Sequence, residues 1–236
     1  MLIGPQNLAV HVNHVRSRIL IAARDAGRDP NSVELIAVSK TQGAESCRAM
    51  AMAGVTEFGE NYLQEAQDKI TALADLKLNW HFIGKLQSNK TRIVAQHFAW
   101  VHTVDRLTVA RRLSEQRPFH APPLNLCIQV LLVPEATKAG VEPEAVANLA
   151  ASITELPRVR LRGLMCLPPP APEATTQRAV FSRLRRLLES LNLQGFKLDA
   201  LSMGMSQDFE AAIAEGATHI RLGTALFGAR HKETHE

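Results

Sequence analysis

The chain is poor in the residues that mark several large functional classes. Its 236 residues include three cysteines, two tryptophans and one tyrosine. Cys47, Cys127 and Cys166 are odd in number, far apart and outside any CxxC pattern, which excludes a disulfide framework and points to reduced thiols in a cytoplasm. The net charge of +4 invites a polyanionic partner. Aromatics are too few, however, to interleave with basic residues as they do where single-stranded nucleic acid is held. The arginines are also dispersed: Arg183, Arg185 and Arg186 fall on one predicted helix, and Arg158, Arg160 and Arg162 alternate at the entry to a strand, as on solvated faces. No run approaches the roughly eighteen apolar residues that cross a bilayer. The N-terminus lacks an apolar signal core, because His11, Asn13, His14, Arg16 and Arg18 interrupt it. No GxGxxG follows a strand-like run, so a dinucleotide-binding domain is unsupported. His11 and His14 have no carboxylate companion at ligand spacing, so no metal is expected. These absences leave a soluble, cytoplasmic protein with no nucleic-acid or membrane partner, whose basicity suits a small anionic ligand.

What is present is alternation. A helix is predicted over about Pro5 to Ala26, stopped by Gly27 and Pro30. Strand-like runs follow at Leu35–Ser39, Val55–Gly59, Trp80–Ile83, Trp100–Val104, Leu124–Val133, Leu161–Cys166, Ala200–Met203 and His219–Leu222. Amphipathic helical runs separate them, near 44–53, 62–73, 88–96, 107–116, 143–154, 176–191 and 207–214, with a last helical turn beginning near Thr224. Eight strands alternating with helices is the count of a (β/α)8 TIM barrel. With no linker, repeat or low-complexity tract, residues 1–236 read as one α/β domain. The extra N-terminal helix is expected to cap the lower end of the barrel.

In a barrel, chemistry gathers at the carboxyl ends of the strands. The first strand, apolar at successive positions and so covered on both faces, ends in Lys40. A lysine held there can lose its proton by partial desolvation and attack a carbonyl; taken alone, it can equally be a solvated strand end. The seventh and eighth strands end in Ser202-Met203-Gly204-Met205-Ser206 and Arg221-Leu222-Gly223-Thr224. Two glycine–hydroxyl loops on adjacent strands suit an anion: Gly223 admits close backbone approach, Thr224 adds a donor, and Ser206 is read as the N-cap of the following helix. Arg221, inside a strand, must be paired or meet a ligand, and an ion pair with Glu60 stays open. His81, between Trp80 and Phe82, reads more readily as a satisfied core histidine than as a base.

An amine, an anion cradle and a buried arginine at one barrel mouth suit a ligand with an aldehyde and a phosphate, as pyridoxal 5'-phosphate (PLP) has. The sequence resembles the PLP homeostasis protein family (the YggS/PROSC group), related to the N-terminal barrel of alanine racemase and fold-type III PLP enzymes. The resemblance is carried by Leu35-Ile36-Ala37-Val38-Ser39-Lys40-Thr41, Phe58-Gly59-Glu60-Asn61-Tyr62, His81-Phe82-Ile83-Gly84 with Leu86-Gln87-Ser88-Asn89-Lys90, Leu161-Arg162-Gly163-Leu164-Met165, the two loops just named, and Phe227-Gly228-Ala229-Arg230. It implies that Lys40 forms a covalent aldimine with PLP, and that Ser206, Gly223 and Thr224, with backbone near Met203 and Gly204, hold the phosphate. By the same match Arg221 faces the pyridine nitrogen, and Asn61 and His81 line the pocket. The chain departs from the family pattern at Lys85, where a proline is common, and at Leu131, where an asparagine is usual.

The related racemases use a tyrosine from a partner subunit opposite the lysine, and a second domain that builds the dimer. Here the single tyrosine, Tyr62, lies beside Asn61 on the barrel's own rim, where packing on the adjacent helix is the simpler role. No second acid–base group facing Lys40 is evident. The expectation is a monomeric carrier that holds PLP for storage or transfer, with apo PLP-dependent enzymes as recipients and no reaction of its own. A low-activity amino-acid racemase and a PLP-free Schiff-base aldolase are the alternatives.

Overall fold

The apolar runs become strands that close on one another. In the computed structural model, which describes residues 5–133 and 139–228, they are β1 (Glu34–Val38), β2 (Glu57–Glu60), β3 (Asn79–Phe82), β4 (Trp100–Val104), β5 (Leu124–Gln129), β6 (Val159–Met165), β7 (Ala200–Ser202) and β8 (His219–Leu222). All pair in parallel, in sequence order, and β8 returns to β1 to close the barrel. The intervening helices are α2 (Ala44–Met52), α3 (Leu63–Ala72), α4 (Thr91–His97), α5 (Leu107–Gln116), α6 (Val146–Thr154), α7 (Ala174–Leu193), α8 (Phe209–Ala214) and the short α9 (Thr224–Phe227). One continuous apolar core lies between this helical layer and the outer face of the barrel. The barrel is thus the one its alternation predicts.

The first helix, α1 (Pro5–Asp25), corrects an expectation. Leu8, Val12, Val15, Ile19 and Ala23 recur at helical spacing and are buried. That stripe packs against α2, α8 and α9, so α1 stands in the helical ring and does not cap the lower end. The physical reason is length: α9 has four residues and α8 six, too little to cover β8 and β1.

The fifth strand is shorter than its apolar run. It stops at Gln129 because Val130 pairs with Val141, and the Leu131 amide donates to the Val141 carbonyl at 2.9 Å, drawing the chain out of the sheet. Leu131 therefore lies beyond the strand and borders a small separate recess with Gln129 and Cys166. Lys85 is exposed. Ala229 and Arg230, at the end of the last matching segment, lie outside the described residues.

The barrel's interior differs from its outer face. Alternate positions place Glu57, His81, Trp100, His102, Cys127, Met165, Ala200, Ser202, His219 and Arg221 inside. Cys127, Met165 and Ala200 form a small apolar cluster separate from the main core. Cys47, Cys127 and Cys166 are all buried and unbridged. Burial pushes their thiols up, Cys47 to about 11 and the other two to about 12. Since the thiolate is the reactive species, the native protein is expected to release no colour with Ellman's reagent at pH 8 and three equivalents after unfolding in guanidinium. Fast reaction of the folded protein would contradict this burial.

Candidate functional site

The carboxyl ends of the strands enclose a cavity of about 580 Å³. Lys40 reaches it from the end of β1, Asn61 from β2, Arg221, Gly223 and Thr224 from β8, and Met205 and Ser206 from the loop after β7. The structure thus gathers on one cavity six of the residues singled out in the sequence: Lys40, Asn61, Ser206, Arg221, Gly223 and Thr224.

The turn that carries Lys40 is pinned from behind. Thr41 adopts φ 65°, a left-handed conformation that a β-branched residue holds only when its surroundings impose it. Its amide donates to Glu65 Oε2 at 2.8 Å. Lys69, on α3 with Glu65, is buried and donates to the Ser39 carbonyl and to Glu60 Oε1, both at 2.6 Å. It also stands 3.5 Å from Glu65. Ser39 Oγ donates to the same Glu60 oxygen at 2.6 Å. Burial pushes the Glu60 carboxyl up, against the opposing pull of the Lys69 ammonium and the Ser39 hydroxyl. Glu60 therefore pairs with Lys69, and the Glu60–Arg221 ion pair left open by the sequence does not form.

Arg221 is instead bound by neutral acceptors. It donates through Nη1 to Ser202 Oγ at 2.7 Å and through Nη2 to the Cys166 carbonyl at 2.9 Å. Only 4% of it is exposed. Burial lowers it from its ordinary value, yet a guanidinium keeps its charge in any protein environment. The cavity's floor is therefore a fixed cation.

Ser206 differs in role from its expectation. The following helix begins at Phe209, with Asp208 at its N-cap, two residues later than an N-cap at Ser206 requires. Asp208 turns back to accept the Met205 amide at 2.6 Å. Ser206 Oγ accepts the Ala225 amide at 3.2 Å and so ties the loop after β7 to the start of α9. That bond uses an oxygen lone pair and leaves the hydroxyl proton to another acceptor.

Met203, Gly204 and His81 lie beneath the cavity and do not line it. The Met203 side chain is fully buried in the core. Gly204 has φ 95°, and its carbonyl accepts the Arg221 amide at 3.0 Å, which sets the height of Arg221 in the barrel. His81 is fully buried, with Nε2 2.8 Å from Glu57 Oε2 and Nδ1 2.9 Å from His102 Nε2. This corrects its placement as a pocket residue and matches the satisfied core histidine. The reason is pleat: in the β2–β3 register, His81 pairs with Gly59, and its side chain points into the barrel below the rim.

One cavity residue escapes the sequence motifs, and one motif residue holds an unpartnered atom there. Arg18, far away on α1, joins the cavity's mouth, held by Glu210 through Nε at 2.7 Å and stacked 4.6 Å over the Phe209 ring. Asn61 Oδ1 is buried without a hydrogen-bond partner among the described residues, although Asn61 lines the cavity. An orphaned polar atom beside a cation-floored cavity with hydroxyl donors is the arrangement of a site for a polar, anionic ligand. Tyr62 is 57% exposed, precedes α3 and stays outside the cavity. Among the described residues no cluster of ligating side chains could hold a metal ion, and no helix is long and apolar enough to cross a membrane.

Comparison with known proteins follows the same lines. The model of the alanine racemase N-terminal domain matches residues 10–231. A pyridoxal phosphate homeostasis protein of Pseudomonas aeruginosa is 58% identical over 94% of this chain and 96% of its own length. That of Escherichia coli K12 is 47% identical over 95% and 97%. Among solved structures, PipY of Synechococcus elongatus with PLP bound is 40% identical, covers 94% of this chain and 100% of its own, and superposes with a TM-score of 0.84. An alanine racemase of Clostridium difficile, 14% identical, shares the fold at a TM-score of 0.71, over 97% of this chain and 58% of the racemase.

Proposed function

The chain belongs to the family of pyridoxal phosphate homeostasis proteins, built on the alanine racemase N-terminal barrel, and from that premise we propose that it holds PLP in the cavity at the barrel mouth as a Schiff base on Lys40. The observation that carries this reading is the convergence of an amine, a fixed cation and two hydroxyl-bearing loops on one cavity. The residues fit the cofactor. Ser206, Gly223 and Thr224 suit its phosphate, Arg221 its ring nitrogen, and the unpartnered Asn61 oxygen a polar group between them. PLP would supply an aldehyde, and the Lys40 amine would hold it as a Schiff base with the loss of one water.

The rest of the proposal concerns what the chain's own residues do. Arg221 presents donors to the ring nitrogen and disfavours its protonation, which weakens the cofactor as an electron sink. That favours holding and release over carbanion chemistry. Asp208 is the one carboxylate lining the cavity among the described residues, and its Oδ1 is committed to the Met205 amide. The large apolar side chains that are exposed are few, Val10, Leu20 and Ile21 on α1 and Met52, Tyr62, Phe119 and Leu193 on other parts of the fold, which supports a monomer. Buried, unbridged cysteines support a reducing compartment, the cytoplasm. Apo PLP-dependent enzymes are the recipients this chemistry suits.

The test is to saturate the protein with PLP, reduce with borohydride and map the modified peptide. A single phosphopyridoxyl group on Lys40, absent in Lys40→Ala, is the expected result; the group on another lysine sinks the reading. Deuterium exchange at the α-carbon of alanine, abolished in Lys40→Ala, would assign a racemase instead.

A further inference from the structure

A line of polar side chains runs down the barrel axis from the cavity floor, and holding the cofactor does not by itself call for it. It begins at Arg221, whose Nη1 donates to Ser202 Oγ at 2.7 Å. Ser202 Oγ lies 2.7 Å from His102 Nδ1. His102 Nε2 is 2.9 Å from His81 Nδ1, and His81 Nε2 is 2.8 Å from Glu57 Oε2. Glu57 Oε1 accepts from Asn79 Nδ2 at 2.8 Å and Thr56 Oγ1 at 3.0 Å, which ends the line at the opposite rim. Five residues from five strands are joined, and all five are buried.

The direction of every bond follows from the two ends. A guanidinium only donates, so Ser202 Oγ accepts from Arg221, and its single proton goes to His102 Nδ1. That requires the proton of His102 on Nε2. From the other end, a carboxylate only accepts, so His81 carries its proton on Nε2 and accepts at Nδ1. That again requires the proton of His102 on Nε2. The two ends demand the same tautomer, so the line is consistent only with every bond pointing from Arg221 towards Glu57.

Its surroundings disfavour a charge on either ring. Burial pushes His81 below its usual value, against the pull of Glu57. Burial also pushes His102 well down, with His81, His219 and Arg221 adding to the push. His219 packs at 5.8 Å from His102, and burial, then His81 and Arg162, hold it down at about 3. Trp100 stacks on His81 at 5.8 Å, and Arg162 lies over its ring. Glu34 faces Glu57 from β1, and its carboxyl is raised by burial and by Glu57.

We propose that Glu57, His81, His102 and Ser202 are positioning residues for Arg221, a one-way hydrogen-bond line that orients the guanidinium at the cavity floor and balances its charge from the opposite rim. The order matters at Ser202. Were His102 protonated on Nδ1, Ser202 would have to accept from two donors, and its own proton would have no place in the line. Glu57 therefore sets the state of the cofactor's neighbour from four side chains away. The proposal rests on the reading that Arg221 faces the ring nitrogen of PLP, and the test separates the two.

The first measurement needs no variant. Long-range proton–nitrogen spectra of histidine-labelled protein, without PLP, should show His81 and His102 neutral and protonated on Nε2 from pH 5.5 to 8.5. A charged ring or the Nδ1 tautomer at either residue overturns the line. The second uses PLP labelled with nitrogen-15 in the ring. Ser202→Ala should weaken PLP binding about tenfold, the loss expected when a bond to a charged group goes, and should move the ring-nitrogen resonance. Glu57→Gln, isosteric and remote from the ligand, should move the same resonance. An unchanged resonance in a folded Glu57→Gln protein overturns the proposal while leaving the cavity reading intact. Wild-type protein that fails to bind PLP, or whose ring-nitrogen resonance ignores Arg221→Gln, overturns the cavity reading and the proposal with it.

Discussion

Lys69→Met is expected to cost about 3–5 kcal/mol of stability, the range found when one partner of a buried ion pair is removed. Lys69 and Glu60 are both buried, with 6% and 0% of their side chains exposed. Methionine replaces the stem of the lysine and neither its two hydrogen bonds nor its ion pair with Glu65. Glu60 Oε1 keeps the Ser39 hydroxyl at 2.6 Å, while Oε2 already lacks a partner among the described residues. The Ser39 carbonyl loses its ammonium donor as well. For a domain of this size the loss corresponds to a fall in Tm of roughly 6–20 °C, read by calorimetry.

The pH dependence has a definite sign. Burial raises Glu60 in the folded protein, so the native state binds more protons than the unfolded chain between the ordinary carboxylate value and the raised one. Stability attached to this group is therefore fully present below the ordinary value and is lost as pH rises through the raised one. Removing Lys69 removes a cause that lowers Glu60, which widens that window. The deficit of Lys69→Met should be largest at neutral pH and above and should shrink as pH falls towards the ordinary carboxylate range. Lys69→Met combined with Glu60→Gln should recover much of the loss, because no unpaired charge stays buried. A single variant that melts like wild type at pH 7.5, or whose deficit grows on acidification, would refute the pairing.

The same clamp shows what the sequence could and could not convey. The barrel was legible because its signal is local and repeated: eight apolar runs, each bounded by a helical period, leave few other architectures. The cavity's principal residues were legible because barrel strands deliver their ends to one rim, so Lys40, Arg221, Gly223 and Thr224 could be gathered without knowing any distance. Side-chain partnership is another matter. Arg221 was the cation that the sequence set against Glu60, and only the α3 placement gives this carboxylate to Lys69. Ser206 looked like an N-cap from its neighbours, whereas its bond is to Ala225, at the start of α9. The buried stripe of α1 announced that the helix packs on something without saying on what. His81, His102 and Glu57 lie on three strands, and nothing short of the sheet register shows that their rings and carboxylate touch. A charged or imidazole residue inside each of several barrel strands was the one available hint, since unpaired polar groups do not persist there.

Gly84→Ala is the second large effect, and here the signal was a glycine in a motif. A Cβ on Gly84 would lie 2.1 Å from the Asn61 carbonyl oxygen and 2.8 Å from its Cα, both backbone atoms that no rotamer change can move. Neither side can yield cheaply. The Gly84 carbonyl accepts the Thr103 hydroxyl at 2.6 Å, and one residue earlier the Ile83 amide donates to the Glu60 carbonyl at 2.9 Å. The ends of β2 and β3 must therefore separate, at a cost of about 3 kcal/mol or more, as for other steric insertions in packed cores. Because Asn61 lines the cavity, the separation also moves its carboxamide, and PLP binding should weaken about tenfold or more. Gly43→Ser is the control: Gly43 caps α2 with φ −74°, a Cβ there meets nothing within 4 Å, and serine is a good cap, so stability should stay within about 0.5 kcal/mol of wild type. Chemical denaturation and PLP titration of the two variants side by side decide the matter. If Gly84→Ala unfolds and binds as Gly43→Ser does, the close approach of Asn61 to Gly84 is not what shapes this side of the cavity.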